Sequence, residues 1–155
     1  MKWAPIGCWI MGAAWAFGNE TAVHALRLMG SGLFDKHPKL QIIVGHMGEN
    51  LTFGMWRVDN ANAWIPNRND YPARKKIGEY FQNNFHITVS GNFHTQALLN
   101  AMMVIGSDRI MFSTDWPFEN IDHAAIWFDA APISEEDRVK IGRTNALKLF
   151  KLKNA

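Results

Sequence analysis

From about residue 20 onward, apolar and polar positions follow two alternating rhythms. Ala22, Leu26, Met29 and Leu33 recur at the spacing of one helix face, and Asn19 stands where a side-chain cap would open that helix. An unbroken apolar run, Leu40 to Val44, then reads as a strand closed by Gly45 and His46. The helical rhythm returns through NLTFGMWRVDNANAW, with Pro66 beyond it as a stop. FHITVSGN reads as a second strand, rich in β-branched residues and ending at Ser90-Gly91, and TQALLNAMMVIG as an amphipathic helix closed by Gly106. DRIMFSTDW is a third strand running to Asp115, followed by a helix over about 121–130. Ser134 with Asp137 gives a capping pattern for a last helical region that reaches Leu149 and Phe150.

Strands that alternate with helices at this spacing imply a parallel sheet, because parallel neighbours need a crossover. Their unbroken apolar character fits strands covered on both faces. In each unit a polar, reactive residue stands at the carboxyl end of the strand: His46, Ser90 and Asp115. A (β/α) barrel carries its catalytic groups on that rim, and an open doubly wound sheet also binds ligands there. No glycine-rich nucleotide fingerprint follows a strand. Three clear units, or four if the N-terminal segment supplies one, fall short of the eight strands and roughly 250 residues of a full barrel.

Composition narrows the class. The chain has 155 residues, of which 48% are hydrophobic and 19% charged, which suits one folded domain spanning 1–155. A formal charge of +2 without a basic face argues against nucleic acid as a partner. Apolar stretches are interrupted by Gly or Pro before reaching membrane-spanning length. The opening MKWAPIGCWIMGAAWAFG reads as a buried loop segment in preference to a secretory signal, since proline, glycine and tryptophan break its apolar core. The single cysteine, Cys8, suits the reducing cytoplasm and reads as a buried thiol.

Among the polar candidates Asp115 stands out. An aspartate after a strand often caps the following turn. Here Trp116 and Phe118 flank it, and a carboxylate walled by aromatics needs a cation or a strong donor facing it, with Zn²⁺ or Mn²⁺ the natural candidate. His46 in GHMGE reads either as a satisfied loop histidine or as a ligand or general acid/base oriented by Glu49. Its flanking glycines are expected to supply the sharp turn. Arg57 reads either as a surface ion-pair member or as a fork for a substrate carboxylate.

ETAVHALRLMGSGLFDKHPKLQIIVGHMGENL, MWRVDNANAW, NFHITVSGNF and RIMFSTDWPFENIDHA together resemble the metal-dependent decarboxylases of the amidohydrolase superfamily, over about residues 9–152. The resemblance implies an α/β fold, the C-terminal half of a (β/α)₈ TIM-like amidohydrolase barrel. It implies non-oxidative decarboxylation of a hydroxybenzoate such as γ-resorcylate at a divalent metal, Mn²⁺ or Zn²⁺. It makes Asp115 a metal ligand and the proton donor, His46 and Glu49 its catalytic partners, and Arg57, Asn62 and Phe118 substrate-binding residues. The expected partners are a small aromatic carboxylate and either further copies of the chain or a complementing N-terminal half. The family's Glu-x-His after its first strand and its fifth-strand histidine have no counterpart here, so only one of the expected ligands is present. Two other readings follow: a hydrolase, since related metal sites activate water, and an inactive half-barrel.

Overall fold

In the computed structural model, which describes residues 7–65 and 71–153, three short strands run parallel in one sheet. They are β1 (Ile42–Val44), β2 (Phe85–Thr88) and β3 (Ile110–Met111), in that spatial order. The register pairs Ile43 with His86 and Val44 with Ile87 on one side of β2, and Thr88 with Met111 on the other.

The helices are α1 (Gly7–Ile10), α2 (Ala16–Gly30), α3 (Leu33–Lys36), α4 (Leu51–Asn62), α5 (Ile77–Asn84), α6 (Thr95–Ile105), α7 (Ile121–Ala130), α8 (Glu135–Val139) and α9 (Asn145–Phe150). A π-helical turn, Lys140–Thr144, links the last two. None of the described helices is long and apolar enough to cross a membrane.

Alternation along β2 sorts its side chains onto two faces. Phe85 and Ile87 are fully buried among the helices, Phe85 packing edge-on to Phe34 at 5.4 Å and tilted against Phe81 at 5.8 Å. Each such ring removed from water contributes about 1.5–3 kcal/mol. His86 and Thr88 take the other, helix-free face. Ile43, paired with His86 on that same face, is 41% exposed.

Four local expectations are revised, the first being the buried opening loop, whose described part forms α1 and leaves Trp9, Met11 and Trp15 exposed. The helix at Asn19 begins three residues earlier, at Ala16, and Asn19 lies inside it with its amide donating to the Trp15 carbonyl. Leu33 falls in the separate α3, because Gly32 adopts φ +75° and breaks the chain there. The helix after β1 closes at Asn62, while Pro66 lies outside the described residues. So do the first six residues of the opening segment and the side chain of Cys8. The remaining breaks follow the pattern: Gly106 at φ +84° ends α6, and Ser134 Oγ accepts from the Asp137 N–H to open α8.

Candidate acid–base site

The carboxyl ends of β1 and β3 bring three of the expected residues together. β1 ends at Val44, and the chain turns at once through His46–Gly48. Gly45 stays at φ −73°, and the left-handed conformations fall on His46 (φ 48°), Met47 (φ 61°) and Glu49 (φ 54°), with Gly48 at φ 78°. The tight turn is therefore carried by side-chain-bearing residues and not by the leading glycine. Asp115, past the end of β3, is also left-handed, at φ 66°. Among the described residues only one further non-glycine, Lys151 at the end of α9, shares this conformation. Such backbone costs on the order of 1–3 kcal/mol per residue and survives where surrounding contacts over-determine it, which happens mostly at functional sites.

The contacts are specific. His46 Nδ1 lies 2.7 Å from Glu49 Oε1, and its Nε2 lies 3.5 Å from Asp115 Oδ2. The Glu49 carboxylate can only accept, so Nδ1 carries the proton of the neutral ring and Nε2 turns its lone pair towards Asp115. Asp115 keeps 30% of its side chain exposed, enough to meet a ligand. The turn is held from below by Ser90, whose Oγ accepts from the His46 backbone N–H at 3.4 Å and pairs with Thr88 Oγ1 at 2.8 Å. Asn50 next to it donates to Asn19 on α2 at 2.7 Å.

Two glycines that the sequence did not single out make the array fit. A Cβ on Gly91, itself at φ +62°, would stand 2.8 Å from the His46 ring and 3.0 Å from Asp115 Oδ2. A Cβ on Gly18 of α2 would collide with the Glu49 carboxylate. A cavity of about 270 Å³ opens beside the array, lined by Trp15, Phe17, Gly18, His46, Glu49 and Gly91 among others.

The expectation of aromatic walls around Asp115 does not hold in this chain. The Phe118 and Glu119 N–H groups both donate to the Asp115 carbonyl, and this turn throws the aromatics outward: Trp116 is 70% exposed and Phe118 86%. Arg57 is exposed on α4 beside Asn60 and Trp64. Asn62 lines an apolar hollow of about 740 Å³ with Val23, Leu26 and Tyr71. Neither lines the cavity beside the three-residue array.

Metal binding is testable on the donor set. A catalytic metal normally takes three protein ligands. Among the described residues no three His, Cys, Asp or Glu side chains converge to hold one. The described residues do not by themselves fit a catalytic metal.

Comparison with known proteins agrees with this fold. The family model described as Amidohydrolase matches residues 5–152. Gamma-resorcylate decarboxylase of Rhizobium sp. (strain MTP-10005) is 64% identical over 147 residues, which cover 95% of this chain and 45% of that protein. A crystal structure of 2,6-dihydroxybenzoate decarboxylase complexed with 2,6-dihydroxybenzoate superposes with a TM-score of 0.90 at 64% identity, covering 94% of this chain and 45% of that one. The dihydroxybenzoic acid decarboxylase of Polaromonas sp. JS666, solved with bound manganese and the inhibitor 2-nitroresorcinol, gives 0.91 at 64% identity, covering 96% and 45%. The chain thus spans a little under half the length of these relatives, consistent with half a barrel.

Proposed function

The chain belongs to the amidohydrolase family, and from that premise we propose that it carries the acid–base part of a metal-dependent, non-oxidative hydroxybenzoate decarboxylase. The observation that supports this reading is the Glu49–His46–Asp115 array at the strand ends, in a chain 64% identical to a gamma-resorcylate decarboxylase. The substrate class is a small aromatic carboxylate with a neighbouring hydroxyl, such as 2,6-dihydroxybenzoate. The single cysteine fits a reducing cytoplasm as the place of work.

Non-oxidative loss of CO₂ from such a ring begins with protonation of the carbon that bears the carboxylate. The ring π pair takes the proton from Asp115 Oδ2. The bond to the carboxylate then breaks, its electron pair restores aromaticity, and CO₂ leaves. The proton stays on the product ring, so Asp115 must be recharged. Solvent supplies a proton to the His46 Nε2 lone pair, the resulting imidazolium passes it to Asp115 Oδ2, and Glu49 keeps Nδ1–H engaged so that Nε2 faces Asp115. Arg57, Asn62 and Phe118 are assigned to substrate binding in the completed enzyme. A divalent metal, manganese in the Polaromonas structure, would take Asp115 as its carboxylate ligand among the described residues. Its remaining ligands belong to a complementing segment.

The test combines this chain with the portion of the Rhizobium relative that it does not match, made as a separate polypeptide, with manganese and 2,6-dihydroxybenzoate. CO₂ release that disappears with Asp115→Asn is expected. Hydrolysis of an aryl ester without CO₂ release would instead favour a hydrolase, and no turnover of either kind would leave an inactive half-barrel.

A further inference from the structure

At the opposite end of the strands from the acid–base array, the helix-free face carries a cluster built of donors. Arg109, directly before β3, lies beside His86 of β2. Its Nη1 is 3.3 Å from His86 Nε2 and also donates to Gln41 Oε1 at 2.8 Å and the Phe85 carbonyl at 3.4 Å. A guanidinium has no acceptor, so His86 Nε2 accepts, and the neutral ring carries its proton on Nδ1. That Nδ1–H is buried and has no hydrogen-bond partner among the described residues, in a side chain whose residue is only 9% exposed.

The cation next to it is no better matched. Each of its hydrogen-bond acceptors is uncharged, and the neighbouring Asp108 carboxylate is engaged by Lys140 Nζ at 3.3 Å. Burial pushes the Arg109 guanidinium below its ordinary value, with Asp108 opposing. A half-buried cation beside an orphan buried donor is a pair that an anionic acceptor would satisfy. The 41% exposure of Ile43 shows that this face is open to an approaching chain.

We propose that this cluster is the docking point for a carboxylate side chain on the polypeptide segment that closes the helix-free face of the sheet. Charge decides against a second copy. A two-fold pairing centred on this cluster would set the same donors against themselves, Arg109 facing Arg109. The relatives are about twice as long as this chain, which leaves a segment large enough to cover the face. The inference rests on the reading that a complementing segment completes the enzyme.

The experiment uses the full chain, with the unmatched portion of the Rhizobium relative as probe, in the absence of metal and substrate. Docking is expected, weakened about tenfold or more by Arg109→Met and with a shallower salt dependence. Circular dichroism checks that the variant folds. A second readout needs no variant: in ¹⁵N-labelled chain the His86 Nδ1–H resonance moves downfield when the probe is added. Absence of docking, docking indifferent to Arg109→Met, or an unmoved Nδ1–H signal overturns the proposal. Arg109-dependent docking without CO₂ release on adding manganese and substrate would sink the decarboxylase reading alone. CO₂ release with docking indifferent to Arg109 would sink this one alone.

Discussion

At the scale of the residue, the candidate site is a strained arrangement held by contacts too close to tolerate a methyl group. Gly91 must be left-handed and must leave room for His46 and Asp115. Gly91→Ala is therefore expected to cost about 1–2 kcal/mol from backbone conformation alone and to push Asp115 away from His46. A denaturant titration with a structure of the variant checks both. In the complemented enzyme, His46→Gln should lower the rate of CO₂ release by roughly 10²–10⁴-fold, with circular dichroism unchanged. A rate within a few-fold of the parent would remove His46 from the proton path. His46 and Asp115 could be singled out as candidates in the sequence because each stands where an apolar run ends, and Glu49 because it lies three residues from His46, although each position also had an ordinary structural reading. Gly18 and Gly91 were not, since their importance lies in atoms from distant segments that meet only after folding. The outward turn of Trp116 and Phe118 was equally hidden, because it depends on which N–H groups the Asp115 carbonyl accepts.

At the scale of the element, the helix–strand alternation came through in the pattern of apolar positions, and the 121–130 helix was read with its observed bounds. The helix α5 went unread, although Ile77, Tyr80, Phe81 and Asn84 lie at helical spacing and all are buried. It runs straight into β2 with no glycine or proline between, so the change from a 3.6-residue to a 2-residue rhythm has no punctuation. The strands are shorter than their apolar runs suggest, because pairing ends where the neighbouring strand does. The last helical region depends on one polar side chain. Asn145, buried at the start of α9, donates from Nδ2 to the Ser107 and Ile110 carbonyls at 2.7 Å each, tying that helix to β3. Asn145→Ala leaves buried carbonyls without their donor and should destabilise the fold by about 1–3 kcal/mol. A shift of the denaturation midpoint below a few tenths of a kcal/mol equivalent would argue that the tie is dispensable.

At the scale of the whole molecule, one face of the sheet is packed and the other is not. Counting strand–helix units showed too few for a full barrel and left an open α/β sheet as an alternative, and the family resemblance supplied the half-barrel. The donor cluster on the open face was not legible, since only the register reveals which residues share it. His86 gives this asymmetry a pH signature. Burial, and then the charge of Arg109, push its imidazole down to about 4, against an ordinary 6.5. As the pH falls through that interval the unfolded chain takes up the proton first, so stability declines from 6.5 towards 4 and levels below it. Denaturation midpoints across that range should fall in the parent chain and fall less in His86→Gln. Equal slopes would show that His86 is not buried as described.

Under the proposed function, this chain holds one side of a decarboxylase site and requires a complementing segment to close it. Elemental analysis of manganese on the purified chain, before and after combination with the unmatched portion of the Rhizobium relative, tests it most directly. Metal well below stoichiometric on the chain alone, becoming near-stoichiometric in the combined complex, is the predicted result. Near-stoichiometric manganese on the chain alone, or none on the complex, would contradict it.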